Sequence, residues 1–290
     1  MRFGFIFLLL FAFSSLQSQQ NTLLWEVSGN GLEKPSYLFG TIHLRDKRVF
    51  CFPDSVLIAF DKSDVLALEI VIDLSDSKAI MDKIMIKDES KYLKKLLTKE
   101  EYKKVKKAVA KNLDPAMLLI MDKMLPVLIA ADLMGSQTNK DEKYPMDLYL
   151  QKQGEKKQKT LYSLESVESQ YAVLEKISLE KQKEELLAVV DSMAMYKKLT
   201  DSMINLYMHQ DIEALYCITN SYNTSFDEEW QEEMLDKRNV GMVAQLKEKM
   251  KEGSVFVAVG AGHLPGTTGL IFLLKMQGYT VRPVYSTCTK

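Results

Sequence analysis

The sequence predicts a protein of the α/β class (mixed α+β), with a central, partly parallel sheet that is built from the N- and C-terminal segments and flanked by helices. At one end of the chain, LLWEVS and SYLFGTIHL are rich in aromatic and β-branched residues and flank a GNG turn, which is typical of a hairpin. At the other end, SVFVAVG, TTGLIFLLKMQ and YTVRPVY follow one another as strand, helix and strand. Between about residues 75 and 250, apolar residues recur at helical spacing, which predicts a large helical insertion.

Shorter segments complete the predicted sheet and its connections. FPDSVLIAFDKSD predicts a short helix, and residues 65–72 (VLALEIVI) form an apolar run that predicts a strand containing one charge, Glu69. A further short helix is expected to begin at Asp147, which would cap it, and to end at Gly154. KTLYSLES then predicts a strand that runs into a turn.

The first twenty residues have the layout of a secretory signal. A single Arg2 precedes an apolar stretch at residues 3–13, and small and polar residues follow. We therefore expect residues 1–20 to be a signal peptide and residues 21–290 to form a single domain. The protein is then exported to the periplasm or the extracellular space, with no stable transmembrane anchor after cleavage. A membrane anchor is the alternative, although the apolar stretch is short for a bilayer.

Charge and cysteine content narrow the classes of function. The formal net charge is −1 with both signs interspersed, so no basic face points to nucleic acid as a partner. None of the cysteines forms a CxxC pair, which argues against a thiolate metal site. In an exported chain, Cys51 could form a disulfide bond with Cys217 or with Cys288. The sequence leaves the oligomeric state open.

Two Gly-x-x-His motifs occupy matching positions. GTIH ends at His43 and GAGH ends at His263, and each follows a strand-like run. Ligands gather at the carboxyl ends of strands in open α/β sheets, and the glycines let the backbone turn there. Imidazole is a common metal ligand and a good proton acceptor near neutral pH. We predict that these two histidines share a site, whereas His209 lies in a helical stretch without a glycine turn.

Glu69 supplies a third candidate group, because a buried carboxylate needs a compensating partner. With His43 and His263 it would offer two nitrogens and one oxygen to a divalent metal, leaving positions open for water and substrate. The same three residues could instead act without metal, with Glu69 orienting a histidine that serves as general base. The simplest alternative is two turn histidines and a strand glutamate that faces water.

Further polar residues lie near the predicted ends of strands and helices. Glu165 follows the KTLYSLES strand and could be a ligand, a base or the favoured acidic residue of a helix start. Arg45 follows the first motif, and Arg238 with Asn239 lies on the helix before the last strands. Either arginine could hold an anionic group of a substrate, pair with Glu69, or lie on the surface.

Five segments taken in order resemble the TraB/GumN family, which includes the TIKI proteins. They are LWEVSG with SYLFGTIHL, LALEIVID, SLESVESQ, KRN, and VFVAVGAGHLPGTTGLIFLLKMQGYTVRPV, and together they span nearly the whole of residues 21–290. The pairing of the two GxxH motifs makes the resemblance specific. It implies a fold like that of erythromycin esterases and ChaN-like proteins, with a central sheet surrounded by helices.

The resemblance also implies an activity. TIKI-like members are described as metal-dependent proteases that use Mn or Co, with the two GxxH histidines and an acidic residue at the active centre. Carried over here, these positions are His43, His263 and Glu69. Other segments typical of the family contain Glu165, Gln170, Arg238 and Asn239. The second motif continues as HLPGTTG, where an acidic residue after HLPG is usual in the family.

We therefore predict an exported metal-dependent hydrolase that acts on peptide or protein substrates with Mn, Co or Zn bound by His43, His263 and Glu69. Glu69 or Glu165 would take the proton of the attacking water, and Arg45, Arg238, Asn239 and Gln170 would contact substrate. The chain contains neither GxSxG nor HExxH, so two alternatives stay open. One is a metal-free, esterase-like hydrolase with His43 as base, and the other is a non-catalytic ligand-binding or regulatory protein.

Overall fold

A computed structural model describes residues 21–73, 75, 77–222 and 231–287. The predicted signal peptide, residues 1–20, lies outside the described residues. The strands form one six-stranded sheet in the order β4-β3-β5-β2-β1-β6. Their bounds are β1 Leu24–Ser28, β2 Ser36–Thr41, β3 Val65–Leu68, β4 Thr160–Ser163, β5 Val255–Gly260 and β6 Thr280–Pro283.

The sheet is mostly parallel. β5 pairs in parallel with both β2 and β3, and β3 pairs in parallel with β4. β1 is antiparallel to its two neighbours, β2 and β6, so β6 runs in the same direction as β2. The prediction of an α/β protein with a partly parallel sheet from the two chain ends is confirmed.

Helices cover the connections between these strands. The first group comprises α1 Asp54–Lys62, α2 Ser77–Ile84, α3 Leu93–Leu96, α4 Lys99–Asn112, α5 Met117–Ile120, α6 Pro126–Gly135 and α7 Met146–Lys156. The second group comprises α8 Val167–Lys176, α9 Leu179–Asp191, α10 Met193–Met208, α11 Ile212–Tyr222, α12 Lys237–Glu252 and α13 Leu270–Met276. β4 separates the two groups and adds an edge strand to the sheet within the stretch expected to be a helical insertion.

The hydrophobic packing does not follow this division, and the two largest of three clusters among the described residues lie in different parts of the fold. The larger core surrounds β3 and β5, where Leu66 and Phe256 are fully buried. A second core joins α4, α6, α9 and α10, and Val105, Ile129 and Leu186 are fully buried within it. The helical region therefore has apolar packing of its own beside the sheet.

The strand predicted at residues 65–72 ends early, at Leu68. The backbone bonds to the β4 side end with the Glu165 amide, which donates to the Glu69 carbonyl at 2.9 Å, and the Val71 amide then donates to Ser163 Oγ at 2.7 Å. The chain therefore leaves the sheet, and Glu69 comes directly after the strand instead of lying inside it.

The helix around Asp147 also differs from the prediction. α7 continues past Gly154, where an added Cβ would lie 2.7 Å from a methyl carbon of Leu66. This glycine permits close approach of the helix to β3 and does not end the helix. Asp147 makes no capping bond, because the N-cap position is taken by Pro145.

For the described residues, the structure shows the state of two cysteines and whether any helix could cross a membrane. Cys51 is in a disulfide bond, whereas Cys217 is an exposed free thiol, so the alternative that paired these two residues is wrong. Cys288 lies outside the described residues. Within the described ranges, no helix is both long and apolar enough to cross a membrane.

Candidate functional site

Three predicted residues meet at the carboxyl ends of neighbouring parallel strands. β5 lies between β2 and β3, and the carboxyl ends of the three strands share one edge of the sheet. His43 follows β2, Glu69 follows β3 and His263 follows β5. The Nε2 atoms of His43 and His263 lie 3.8 Å and 3.7 Å from the same atom, Oε1 of Glu69. The paired motifs therefore lie on either side of one carboxylate.

His263 is buried and its ring is fixed. It ends the short 3-10 turn Ala261–His263, and its side chain is 6% exposed. Its Nδ1 lies 2.7 Å from Asn239 Oδ1, while Asn239 Nδ2 donates to the Thr268 carbonyl at 2.9 Å. This second bond sets the amide so that Oδ1 accepts from an Nδ1–H group. Burial lowers the pKa of His263, and the neutral ring presents the Nε2 lone pair to Glu69.

His43 has the opposite surroundings. Its side chain is 61% exposed, and Nδ1 donates to Asp147 Oδ2 at 2.5 Å. Oδ1 of Asp147 accepts from Thr41 Oγ1 at 2.5 Å, so the carboxylate is held by the end of β2. The negative charge of Asp147 raises the pKa of His43 to about 10. Without a metal ion the ring is an imidazolium, and a cation at Nε2 would replace that proton.

Sequence reasoning assigned Asp147 only a capping role. Its sequence context, the first turn of a helix after Pro145, is common to many structural aspartates. No local signal connects it with His43, which lies 104 positions away along the chain. Only the packing of α7 against the sheet brings the two residues together, so Asp147 could not be found from its spacing.

Glu69 is a buried carboxylate, and both of its oxygens accept hydrogen bonds. Its side chain is 13% exposed, and Oε1 accepts from the Gly260 amide at 2.8 Å. Oε2 accepts from Arg238 Nη2 at 2.7 Å and from Gln170 Nε2 at 3.2 Å. Burial alone would raise the pKa of Glu69, but the two neighbouring histidines, Arg238 and the Gly260 amide together hold it well below its ordinary range. The group is therefore ionised.

Arg238 connects Glu69 to a second carboxylate. Its Nε and Nη2 donate to the two oxygens of Glu165 at 3.0 Å and 2.7 Å, a bidentate arrangement. Gln170 Nε2 also donates to Glu165, at 3.1 Å. The structure thus places Glu165, Gln170 and Arg238 around Glu69 as supports of its charge. Asn239, next along α12, supports His263.

A short π-helical turn, Glu232–Asp236, precedes Arg238 and Asn239 at the start of α12. Arg238 Nη1 donates back to the Met234 carbonyl in this turn at 3.0 Å. Asp236 Oδ1 accepts from Thr268 Oγ1 at 2.7 Å. Such widened turns are often found at functional sites, and here the turn lies immediately before the residues that hold both Glu69 and His263.

Arg45 lies apart from the carboxylate cluster. It lines, together with His43, a cleft of about 980 Å³ that runs between the loop after β2 and the helices α4, α6 and α10. A substrate in this cleft would reach the exposed ring of His43. Of the predicted substrate-contacting residues, Arg45 alone lines this cleft.

The arrangement and the chemistry of the side chains at this site, His43, Glu69 and His263, bear separately on whether it fits a metal ion. No group of three or more His, Cys, Asp or Glu side chains within the described ranges is already arranged as a set of metal ligands. The chemistry of the donors nevertheless fits a divalent cation. Each Nδ1 is tied to a side-chain acceptor, as is usual for metal-binding histidines, which leaves both Nε2 atoms directed at Glu69 Oε1.

Gly260 leaves space beside these three atoms. A Cβ at this position would lie 3.3 Å from Glu69 Oε1 and 3.4 Å from His43 Nε2. Because glycine has no side chain, the room between the two rings and the carboxylate stays free for a ligand.

The chain belongs to the TraB/PrgY/gumN family, whose model matches residues 23–283. It is also similar to the protein named Metalloprotease TIKI1 from Xenopus tropicalis, at 26% identity over 324 aligned residues. That alignment covers 91% of this chain and 62% of the relative, so the chain spans less than two thirds of the length of that protein. No solved structure gives a significant match, and the likeness to erythromycin esterases and ChaN-like proteins stays a prediction.

Proposed function

We propose that the protein is an exported hydrolase that cleaves peptide bonds with a divalent metal ion, Mn, Co or Zn, at the site of the two GxxH histidines. One observation carries the proposal: His43 Nε2 and His263 Nε2 lie 3.8 Å and 3.7 Å from the same oxygen of Glu69, while each Nδ1 is tied by its own partner. Membership of the family and the similarity to the protein named Metalloprotease TIKI1 support it. Export rests on the secretory layout of residues 1–20.

The residues that would hold the cation are His43, His263 and Glu69, with the remaining positions open to water and substrate. Bound there, a divalent cation would polarise a carbonyl group and lower the pKa of a bound water molecule. Asp147 and Asn239 keep the two rings in the tautomer that presents Nε2.

The protein's own groups tune the site and place the substrate. Glu69 Oε1 is the carboxylate oxygen nearest to both rings and would bind the cation, and the lowered pKa of Glu69 makes it a weak acceptor for the proton of the attacking water. Arg238 compensates the charge of Glu69, and Glu165 in turn anchors Arg238. The cleft beside His43 would hold the substrate chain next to the cation.

A hydrolysis assay tests this proposal. The chain from Asn21 onward, without a histidine tag, is treated with a chelator and incubated with a peptide library, with and without added Mn, Co or Zn. Mass spectrometry should show cleavage that depends on the metal ion and is absent from the His43→Ala/His263→Ala double mutant. Cleavage by the double mutant would contradict the proposal, and tight capture of peptides without product would favour a binding protein.

A second candidate, hydrolysis without metal, is favoured by the pair of His43 and Asp147. An exposed imidazole whose Nδ1 donates to a fixed carboxylate is the arrangement of a general base. Because Asp147 raises the pKa of His43 to about 10, this base would act mainly in alkaline solution, so metal-free activity should rise with pH. The orienting carboxylate would then be Asp147 and not Glu69, which the sequence had suggested for this role. Full activity after exhaustive chelation would support this candidate over the metal-dependent one.

A further inference from the structure

The cleft that begins at His43 has a mostly apolar wall with a few charges. Leu44, Leu113, Met134 and Met203 contribute to the wall from the loop after β2 and from the helical region. Such a mixture of apolar surface and a few polar groups is typical of a binding site with chemical selectivity. The charges in the cleft therefore decide which ligand it fits.

Arg45 and Arg48 lie on the same loop but have different surroundings. Arg48 donates to Asp46 through Nε and Nη2 at 2.9 Å and 2.7 Å, and it also reaches Asp201 at 3.3 Å. The Arg45 side chain forms no hydrogen bond or ion pair with any of the described residues, and it faces the cleft. The loop thus uses one arginine to hold its shape and leaves the other available.

Besides His43, three basic and two acidic side chains line the cleft, an excess of one positive charge: Arg45, Lys111 and Lys140 against Asp114 and Asp132. Asp114 Oδ1 accepts from the Ala116 amide at 2.8 Å and so serves the local turn. Lys140 lies near Asp132, and their charges offset one another. Lys111 lines the cleft and, like Arg45, has no ionic partner within the described ranges. A guanidinium group matches a carboxylate in shape and charge.

We propose that this cleft selects peptide substrates that carry an acidic residue among apolar residues, with Arg45 holding the carboxylate and Lys111 adding positive charge. The proposal deepens the peptide hydrolase proposed above and rests on it. Because Arg45 and His43 line the same cleft, the acidic residue would lie close to the bond that is cleaved.

Binding can be measured apart from catalysis. The probes are two pools of end-blocked nonapeptides of Leu, Val, Ala and Asp, labelled with an uncharged dye, the second pool having Asn at every Asp. By fluorescence anisotropy, the wild type should bind the Asp pool at least about tenfold more tightly, as expected for one charge-assisted hydrogen bond. Arg45→Gln should lose this preference. Arg45→Glu should prefer a third pool that has Lys in place of Asp.

Lys47→Glu is the matched control, because Lys47 lies two residues further along the loop and does not line the cleft. It carries the same change of charge and should retain the preference for the Asp pool. Equal affinity of the wild type for the Asp and Asn pools, or an equal effect of Lys47→Glu and Arg45→Glu, would overturn the proposal. Thermal unfolding of each variant verifies that it is folded.

Hydrolysis of a peptide library separates this proposal from the function on which it rests. Metal-dependent cleavage without any preference for acidic residues would overturn the assignment of the cleft and leave the hydrolase standing. Selective binding of the Asp pool without any cleavage would overturn the hydrolase and support the cleft. Cleavage beside acidic residues that becomes cleavage beside basic residues in Arg45→Glu would support both.

Discussion

The two GxxH motifs share one position in the fold but have different surroundings. The side chain of His43 is 61% exposed and its Nδ1 faces a carboxylate, whereas that of His263 is 6% exposed and its Nδ1 faces an amide. Both rings nevertheless direct Nε2 at the same oxygen of Glu69. The motif thus fixes where each imidazole lies, while the neighbouring helices decide its charge and its access to solvent.

The difference follows from where each motif leaves the sheet. The turn Ala261–His263 packs against α11, and Asn239 of α12 reaches its ring. The loop after β2 instead opens onto the cleft. We infer that His263 is the fixed member of the pair and that His43 is the member that meets substrate.

The largest effects are expected from truncating either ring. His43→Ala and His263→Ala should each lower kcat/KM by about 10²–10⁴-fold, because each removes a group that would hold the cation, whose stabilisation of developing charge is worth several kcal/mol. Their effects on the free energy of unfolding should differ. His263→Ala leaves Asn239 Oδ1 without its donor in a buried place and should cost about 1–3 kcal/mol. His43→Ala, at an exposed position, should change it by less than about 1 kcal/mol.

Peptide hydrolysis and urea unfolding measure these two quantities. Equal destabilisation by the two substitutions would show that the contrast in burial has no energetic meaning. Full activity of either variant would remove that histidine from the site.

Asp147→Asn should have the next largest effect. An amide at this position lacks the negative charge that makes the oriented His43 ring a more basic ligand, so activity or metal affinity should fall by about 10–100-fold. The matched control is Asp54→Asn, since Asp54 also lies in the first turn of a helix after a proline. Its activity should equal that of the wild type. If Asp147→Asn behaved like the control, His43 would not depend on its carboxylate partner.

Gly260→Ala should have a smaller effect, because it fills the space between the rings while the fold is kept. Its Cβ would lie 3.3 Å from Glu69 Oε1, which should reduce metal affinity and activity by about tenfold through an overpacking cost of about 1–3 kcal/mol. Gly262→Ala is the control, as an added Cβ there meets nothing within 4 Å. Identical kinetics for the two variants would show that the space beside Gly260 is not used.

The smallest effect on activity is expected from Asp46→Asn, which weakens the loop after the first motif. Asp46 is fully buried and accepts from Arg48, which lowers the pKa of its carboxyl group. A lowered pKa in the folded state gives stability that is present above about pH 4 and is lost as the pH falls through the folded pKa.

Urea unfolding of the wild type and Asp46→Asn at several pH values measures this contribution. The substitution should cost about 2 kcal/mol at pH 7, and the difference should shrink as the medium becomes acidic. A difference that stays constant down to strongly acidic pH would show that the ionised carboxylate is not the source of the stability.

The sequence predicted those features of the site that follow from the backbone topology alone. Each GxxH motif follows a strand, and parallel neighbouring strands place their carboxyl ends together, so the meeting of His43 and His263 could be anticipated. The partners of these rings could not be predicted. Asp147 depends on how α7 packs on β3, where Gly154 lies against Leu66, and such distant packing leaves no periodic pattern in the sequence.

The supporting charges were only partly anticipated for the same reason. Arg238 was considered as a partner of Glu69 or of a substrate, and the structure shows the bond to Glu69 at 2.7 Å. That Arg238 also binds Glu165 depends on the spatial approach of α12 to the end of β4. The early end of β3, after which the Val71 amide donates to Ser163 Oγ, cannot be predicted from an apolar run.

Calorimetric titration with metal ions tests whether the two GxxH motifs form one site. The metal-stripped protein, without a histidine tag, is titrated with Mn, Co and Zn beside His43→Ala and His263→Ala. We expect one tight site in the wild type that is lost in each single variant. A site that survives unchanged in either variant, or the absence of any site in the wild type, would contradict this expectation.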